Sequence, residues 1–220
     1  MPVIFKQEKQ CALCGCHSPQ THARKMRTYG SLDLDLRPPE EYRSMLSCSI
    51  EYCPNCGYVA DDISAYTNLS LGFLSDETYL TCCSSELSGE WPIKFFKQAL
   101  IALETCDEMT AFHALLHAAW ACDDNHDALG ARKCRRRALA IANGLLSDPL
   151  YYSDPLAVIR IDLLRRIRQF DTVQQECPDM LFPNIALNSI IQFQMEKARH
   201  GDSACYTIND AIVYARRIDK

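Results

Sequence analysis

The sequence predicts an α+β chain that is mostly α, in which a small β module precedes an array of helical hairpins. Two observations support this fold class. A Cys-x-x-Cys-Gly motif occurs twice, at 11–15 and 53–57, within a stretch of strand and turn character that ends near Ala60. From Trp91 onward, apolar residues recur at helical spacing. We therefore expect a module over 1–65, a connecting segment over 66–90 and a helical domain over 91–220.

The two cysteine motifs predict a metal site. Two thiolates separated by two residues can turn onto one ion, and the following glycine permits the left-handed backbone of the tight turn. Together, Cys11, Cys14, Cys53 and Cys56 supply four sulfurs, which is the complete ligand set of a structural Zn²⁺ site of the zinc-ribbon kind. A redox pair is the alternative that a Cys-x-x-Cys motif leaves open, and the doubled form disfavours it.

Composition narrows the class of protein. The 220 residues are 48% hydrophobic, and no apolar run reaches the length of a membrane span, so no membrane association is expected. Thirteen cysteines form an odd set in a long chain, and the start lacks the apolar stretch of a signal peptide. These features predict a cytoplasmic protein with reduced thiols.

Charge is distributed unevenly along the chain. Residues 1–60, 61–127 and 128–220 carry net charges of +1, −10 and +4, which give the total of −5. A ribbon that grips nucleic acid usually presents a basic surface, and the region around these cysteines is nearly neutral. Nucleic-acid binding through the ribbon is therefore disfavoured.

Helical periodicity and helix-stop residues predict the helices of the second half. After two helices that begin near Trp91, the expected ranges are 128–146, 155–169, 184–198 and 204–218. Ala131 and Ala138 stand seven residues apart, as do Ala204 and Ala211. Small residues at this spacing allow the close helix approach of tetratricopeptide-like repeats. A plain helical bundle with alanines spaced by chance is the alternative.

Several segments together resemble a family of bacterial proteins of unknown function. They are the two cysteine motifs, Asp33–Pro38, Ala118–Asp124, Arg136–Leu139 and Leu163–Asp171. In that family a double Cys-x-x-Cys module precedes tetratricopeptide-like helices, and a glycine often stands at the place of Arg168. The resemblance implies this architecture and zinc, and it implies no reaction.

Other cysteines and histidines lie near the presumed ligands. Cys16 could replace a neighbouring ligand or exchange with it during oxidation, although a spare thiol is the simpler interpretation. His17 and His22 would give a mixed site, which four available sulfurs make unnecessary, and Cys48 lies before the second motif. The adjacent Cys82 and Cys83 suit ordinary packing or a redox pair.

Two further groups are candidate sites. Leucines alternate with Asp33 and Asp35 before Arg37, which predicts a strand with a solvated acidic face. Alternatively, the two aspartates are paired carboxylates that act in catalysis or bind a hard cation. His113 and His117 share one helix face, so a second metal site is conceivable. Packing, with Asp123 or Asp124 capping the next helix, is the preferred interpretation.

The densest basic run, 132–137, lies on one predicted helix. Arg132, Arg135 and Arg136 are its candidate anion-binding residues, for phosphate or RNA. A solvated helix face that pairs with the preceding acidic segment is the preferred interpretation.

The combined prediction is a zinc-binding, non-enzymatic scaffold whose helices bind a protein partner. The alternatives are a metal-dependent enzyme with a site between the two modules, built from Asp33, Asp35 and His113 or His117, and nucleic-acid or phosphate binding at 132–137. Standard hydrolase and nucleotide-binding signatures are absent from the sequence. No motif specifies the partner, the pathway or the oligomeric state.

Overall fold

A computed structural model describes residues 2–81 and 87–218 and confirms the α+β, mostly α class. Short antiparallel hairpins occupy the N-terminal part and helices the remainder. The strands are β1 (Val3–Gln10), β2 (His17–Arg24), β3 (Glu51–Tyr52) and β4 (Val59–Ala60). The helices are α1 (Leu71–Leu74), α2 (Glu77–Thr81), α3 (Glu90–Glu104), α4 (Glu108–Asp124), α5 (Ala128–Ser147), α6 (Asp154–Arg166), α7 (Phe170–Glu176), α8 (Ile185–Arg199) and α9 (Ile208–Ile218), with 3-10 turns at Arg43–Ser49 and Cys177–Asp179.

Each strand pair is a separate two-stranded sheet. Strand β1 pairs with β2 from Val3↔Arg24 to Gln10↔His17, and β3 pairs with β4 through Glu51↔Ala60 and Tyr52↔Val59. The sequence predicts strand and turn character up to Ala60, but a 3-10 turn occupies Arg43–Ser49 and β3 covers only the two residues Glu51–Tyr52. Each hairpin ends at a cysteine motif, so the sheets position the four cysteines.

The chain forms two compact units. One contains the described residues up to Thr28 and those from Glu40 to Cys134; the other contains Tyr29–Pro39 and the described residues from Arg135 onward. We call them the hairpin unit and the helical unit. The expected division at residues 65 and 91 remains a prediction.

Within the hairpin unit, α3 and α4 pack together as a helical hairpin. Asp107 is the N-cap of α4, and its side chain accepts a hydrogen bond from the Thr110 amide at 3.0 Å. Within the helical unit, α8 packs against α6, α7 and α9. No helix in the described part of the chain is both long and apolar enough to cross a membrane.

The alanine pattern is only partly reflected in the structure. Ala131, Ala138 and Ala211 are buried, as close helix packing requires. Ala204 is exposed and precedes α9, so the expected helix 204–218 begins four residues too early. The second alanine pair is therefore not a pair on one helix, and the tetratricopeptide-like repeat remains a prediction.

The expected end of the helix 155–169 is also misplaced, since α6 ends at Arg166 and α7 begins at Phe170. The chain turns just before it, where Arg168 has φ +68°. Glycine adopts this left-handed conformation without strain.

Candidate metal centre

Both cysteine motifs lie at the tips of the β-hairpins. Cys11 and Cys14 follow β1, just beyond the last strand pair, Gln10↔His17. Cys53 and Cys56 follow β3, beyond the pair Tyr52↔Val59. The antiparallel strands therefore hold the two ends of each motif together.

The two tips have the same backbone hydrogen bonds. The amide of Cys11 donates to the carbonyl of Cys16 at 2.9 Å, and the amide of Gly15 donates to the carbonyl of Cys11 at 2.9 Å. The second motif repeats this pattern, from Cys53 to Tyr58 at 2.8 Å and from Gly57 to Cys53 at 3.0 Å. Gly15 and Gly57 have φ of +71° and +78°, the left-handed conformation in which a side chain would be strained.

Four sulfur atoms converge between the two tips. The Sγ atoms of Cys11, Cys14, Cys53 and Cys56 all lie within 4.8 Å of one another. Two of the separations cross from one motif to the other, at 3.7 Å for Cys11–Cys56 and 3.5 Å for Cys14–Cys53. A tetrahedral thiolate site with metal–sulfur bonds of about 2.3 Å has sulfur–sulfur distances of about 3.8 Å. The four cysteines can therefore hold one metal ion.

The protein surroundings act differently on the four thiols. A hydrogen bond from the side chain of Asn55 lowers the pKa of Cys14 to about 6, so this group ionises readily at neutral pH. Burial raises the pKa of Cys11 and of Cys56. A bound cation favours the thiolate form of every ligand, which offsets the cost of burying charge.

Contacts outside the sulfur cluster join the two hairpins. The side-chain amide of Gln20 donates to the Tyr52 carbonyl at 3.1 Å and accepts from the Tyr52 amide at 3.1 Å. The amide of Ala12 donates to the carbonyl of Ile63 at 2.8 Å. The hydroxyl of Tyr79 donates to the Gly57 carbonyl at 3.0 Å. These bonds orient both tips toward the shared site.

A buried carboxylate beside the site was missed by the sequence interpretation. Glu51 is 2% exposed, and its carboxylate accepts a hydrogen bond from the Ile63 amide at 2.8 Å. The ammonium group of Lys9 lies 3.4 Å from Glu51 and 2.8 Å from Asp62. The available signal was that Lys9 and Glu51 each stand two residues before the first cysteine of a motif.

The other nearby candidates lie outside the sulfur cluster. The Cys16 thiol points to the carbonyl of His17 at 3.5 Å. His22 lies with Nε2 3.2 Å from a carboxylate oxygen of Glu51, and its ring stacks on Phe5. Cys48 is partly buried in the 3-10 turn. Cys82 and Cys83 lie outside the described residues.

The predicted acidic strand face is wrong. Asp33 and Asp35 are each 2% exposed and lie in a turn, whereas Leu36, expected to share a face with buried Leu34, is exposed. Asp35 lies 4.0 Å from the guanidinium of Arg135, and Asp33 accepts a hydrogen bond from the Cys205 thiol at 3.2 Å. Arg37 is also buried, so the segment contributes charges to the interior of the helical unit.

His113 and His117 lie on α4, as expected, but form no metal cluster with other residues of the described ranges. The ring of His117 packs 5.2 Å from that of Phe95 and 4.9 Å from that of Trp120, measured between centroids. Burial lowers the pKa of His117 to about 4, so this side chain is neutral at physiological pH.

The expected cap of the following helix is wrong. Asp123 and Asp124 lie inside α4, and Asp127 begins α5 instead. Its carboxylate accepts hydrogen bonds from the amides of Gly130 at 2.8 Å and Ser88 at 3.1 Å.

The basic run is split by burial. Arg132 is partly exposed and Arg136 is exposed, but Arg135 is 2% exposed beside Asp35. Arg135 therefore cannot belong to a surface that attracts phosphates. Anion binding at Arg132 and Arg136 remains a prediction that the loss of Arg135 weakens.

We found no protein-family model, no curated protein and no solved structure that matches the chain. Membership of the bacterial family that the chain resembles therefore remains a prediction.

Proposed function

We propose that the four cysteines hold a structural Zn²⁺ ion. The convergence of four sulfur atoms on one point supports this proposal. A tetrahedral set of four thiolates suits zinc or iron, and four-cysteine zinc sites are characteristic of small β modules with little core of their own. Four protein ligands fill the tetrahedron and leave no position for a substrate, so the proposed role is stabilisation.

The proposed location is the cytoplasm. The cysteines of the described residues are free thiols, and metal binding requires them to stay reduced. Cytosolic thiol systems maintain that state.

Metal analysis of a double variant tests the zinc site. We expect the purified wild-type chain to contain about one zinc per chain and Cys53→Ser/Cys56→Ser to contain almost none, because two serine hydroxyls are poor zinc ligands. The circular dichroism of the variant should retain most of the helical signal. The matched control is Cys48→Ser, which changes a partly buried thiol outside the cluster and should keep its zinc.

Two results would contradict the proposal. Full zinc occupancy in the double variant would exclude these cysteines as ligands, and iron in place of zinc would change the identity of the ion.

We further propose that the helical unit binds a protein partner. This proposal is supported by large apolar side chains that are exposed to solvent. Leu150, Leu181 and Ile185 are 80%, 85% and 79% exposed, and they lie in or beside the loops that lead into α6 and α8. Large apolar side chains left exposed on a surface are found at protein interaction sites. The proposed function is therefore a zinc-stabilised scaffold or adaptor without an enzymatic step.

Quantitative affinity capture tests this binding role. We expect Leu150→Ser/Leu181→Ser/Ile185→Ser to lose partners that the wild-type chain retains. The matched control is Tyr66→Ser, since Tyr66 is 92% exposed in the hairpin unit. Identical partner sets for the triple variant and the wild type would contradict the proposed surface.

A further inference from the structure

A short segment from the N-terminal part of the sequence is built into the helical unit. The Leu34 amide donates to the Tyr206 carbonyl at 2.9 Å, and the Ile208 amide donates to the Leu32 carbonyl at 2.8 Å. These two bonds flank the antiparallel bridge between Asp33 and Thr207. The segment 31–37, which we call the clasp, thus pairs with backbone more than 160 residues away in the sequence.

Side chains elsewhere in the helical unit contact the buried carboxylates of the clasp. The Arg135 guanidinium lies 4.0 Å from the carboxylate of Asp35, with both side chains 2% exposed. The Cys205 thiol donates to Asp33 at 3.2 Å, and between the two carboxylates Leu34 is 3% exposed. Buried carboxylates are strongly destabilising without such partners. The helical unit therefore provides specific contacts for an acid–leucine–acid pattern.

The clasp also holds its own shape. The Leu36 amide donates to the Asp33 carbonyl at 2.9 Å, and the Asp33 amide donates to the Arg37 carbonyl at 2.9 Å. Leu36 has φ +64°, and the side chain of Asp35 accepts from the Arg37 amide at 3.3 Å. A peptide that forms its bound turn through internal hydrogen bonds loses less entropy on binding.

We propose that the helical unit contains a recognition site for a turn-forming Asp-Leu-Asp-Leu-Arg segment, and that the clasp occupies this site as an intramolecular ligand. The partner class that this site fits is a protein turn with two carboxylates flanking a buried leucine. This inference rests on the binding role proposed for the helical unit. Tethering gives the clasp an effective concentration of the order of millimolar, so a partner segment must outcompete it.

A full-length chain with an emptied site provides the test. In this variant a seven-residue Gly/Ser linker replaces 31–37, which keeps the connection between the flanking residues. The probe is a fluorescein-labelled synthetic peptide of residues 29–39, followed by fluorescence anisotropy. We expect saturable binding to the linker variant and binding at least about a hundredfold weaker to the wild type, whose site is filled.

Peptide variants provide the matched controls. Leu34→Ala in the peptide should weaken binding at least about tenfold, because a buried leucine is lost. Leu32→Ala should change binding less than about twofold, since Leu32 is 38% exposed. Asp35→Asn should weaken binding to the linker variant at least about tenfold, because the charge facing Arg135 is removed.

The outcomes separate the alternatives. If the linker variant loses helical circular dichroism, saturating peptide should restore it. Absence of both binding and restoration overturns the proposal, as does equal peptide affinity for the wild type and the linker variant. Peptide binding without loss of partners in the Leu150→Ser/Leu181→Ser/Ile185→Ser variant would contradict the proposed interaction surface alone.

Discussion

The cysteine cluster and the clasp are both built from sequence-distant residues, but they differ in how visible they are in the sequence. The cluster joins two motifs that begin at Cys11 and Cys53, about 40 residues apart. Each motif forms its turn by local hydrogen bonds. The clasp has a local turn as well, yet its buried charges depend on Arg135 and Cys205. A site whose ligand chemistry repeats in each half is recognisable from spacing, whereas a site completed by unlike partners is recognisable only after folding.

Metal removal should produce the largest difference in stability between the cysteine cluster and the clasp. A strong zinc chelator should unfold the tips of both hairpins, because zinc–thiolate coordination contributes about 10–16 kcal/mol in small zinc peptides. Hydrogen exchange should show lost protection in β1 to β4 and retained protection in α6, α8 and α9. Equal loss in both units would show that the cluster stabilises the whole chain and would remove the contrast.

Loss of one partner of the buried ion pair should have the next largest effect. Asp35→Ala leaves Arg135 buried without that carboxylate, so the free energy of unfolding of the helical unit should fall by about 3–5 kcal/mol. Denaturant unfolding of the zinc-loaded chain measures it. The control is Asp179→Ala at an exposed position, with an expected change within about 0.5 kcal/mol. An unchanged denaturation midpoint for Asp35→Ala would show that the ion pair of the clasp does not stabilise the helical unit.

Substitution of the buried carboxylate next to the cysteine cluster should have a smaller effect. Glu51→Gln keeps an acceptor for the Ile63 amide but removes the charge that faces Lys9, which should cost about 1–3 kcal/mol. Thermal unfolding with zinc content measured in parallel provides the test. Exposed Glu8→Gln is the control. Loss of zinc from Glu51→Gln at full stability would instead assign Glu51 to metal binding.

The Lys9–Asp62 pair should have the smallest effect. Hydrogen bonding from Lys9 lowers the pKa of Asp62 to about 2. A depressed pKa stabilises the fold above the unfolded value of about 3.9, and this contribution is lost as the pH falls toward 2. Because Asp62 is 46% exposed on its side chain, Asp62→Asn should cost less than about 1 kcal/mol at pH 7.

High salt should reduce the effect of Asp62→Asn at pH 7, since the pair is accessible to ions. A cost that persists unchanged at high salt would show that the contribution does not arise from the charge of Asp62.

Much of the fold followed from sequence periodicity, and its errors have specific physical reasons. Helical periodicity predicted α5 within one residue at its C-terminal end. The same approach extended α9 back to Ala204, because periodicity could not indicate that 202–207 is held in a loop by Arg165, whose guanidinium donates to the carbonyls of Asp202 and Ala204. Asp33 and Asp35 appeared solvated because an aspartate is rarely buried without a partner, and the partner lies far along the chain.

The sequence by itself determined the mostly helical class and the four cysteines that converge, because helix formation and Cys-x-x-Cys-Gly turns depend on residues within a few positions of one another. Tertiary structure alone decided that Asp35 and Arg135 are buried beside each other and that Glu51 lies near both Lys9 and His22. Burying a charge is favourable only when an opposite charge or a donor occupies the same place. Long-range packing brings those groups together, and no local pattern records it.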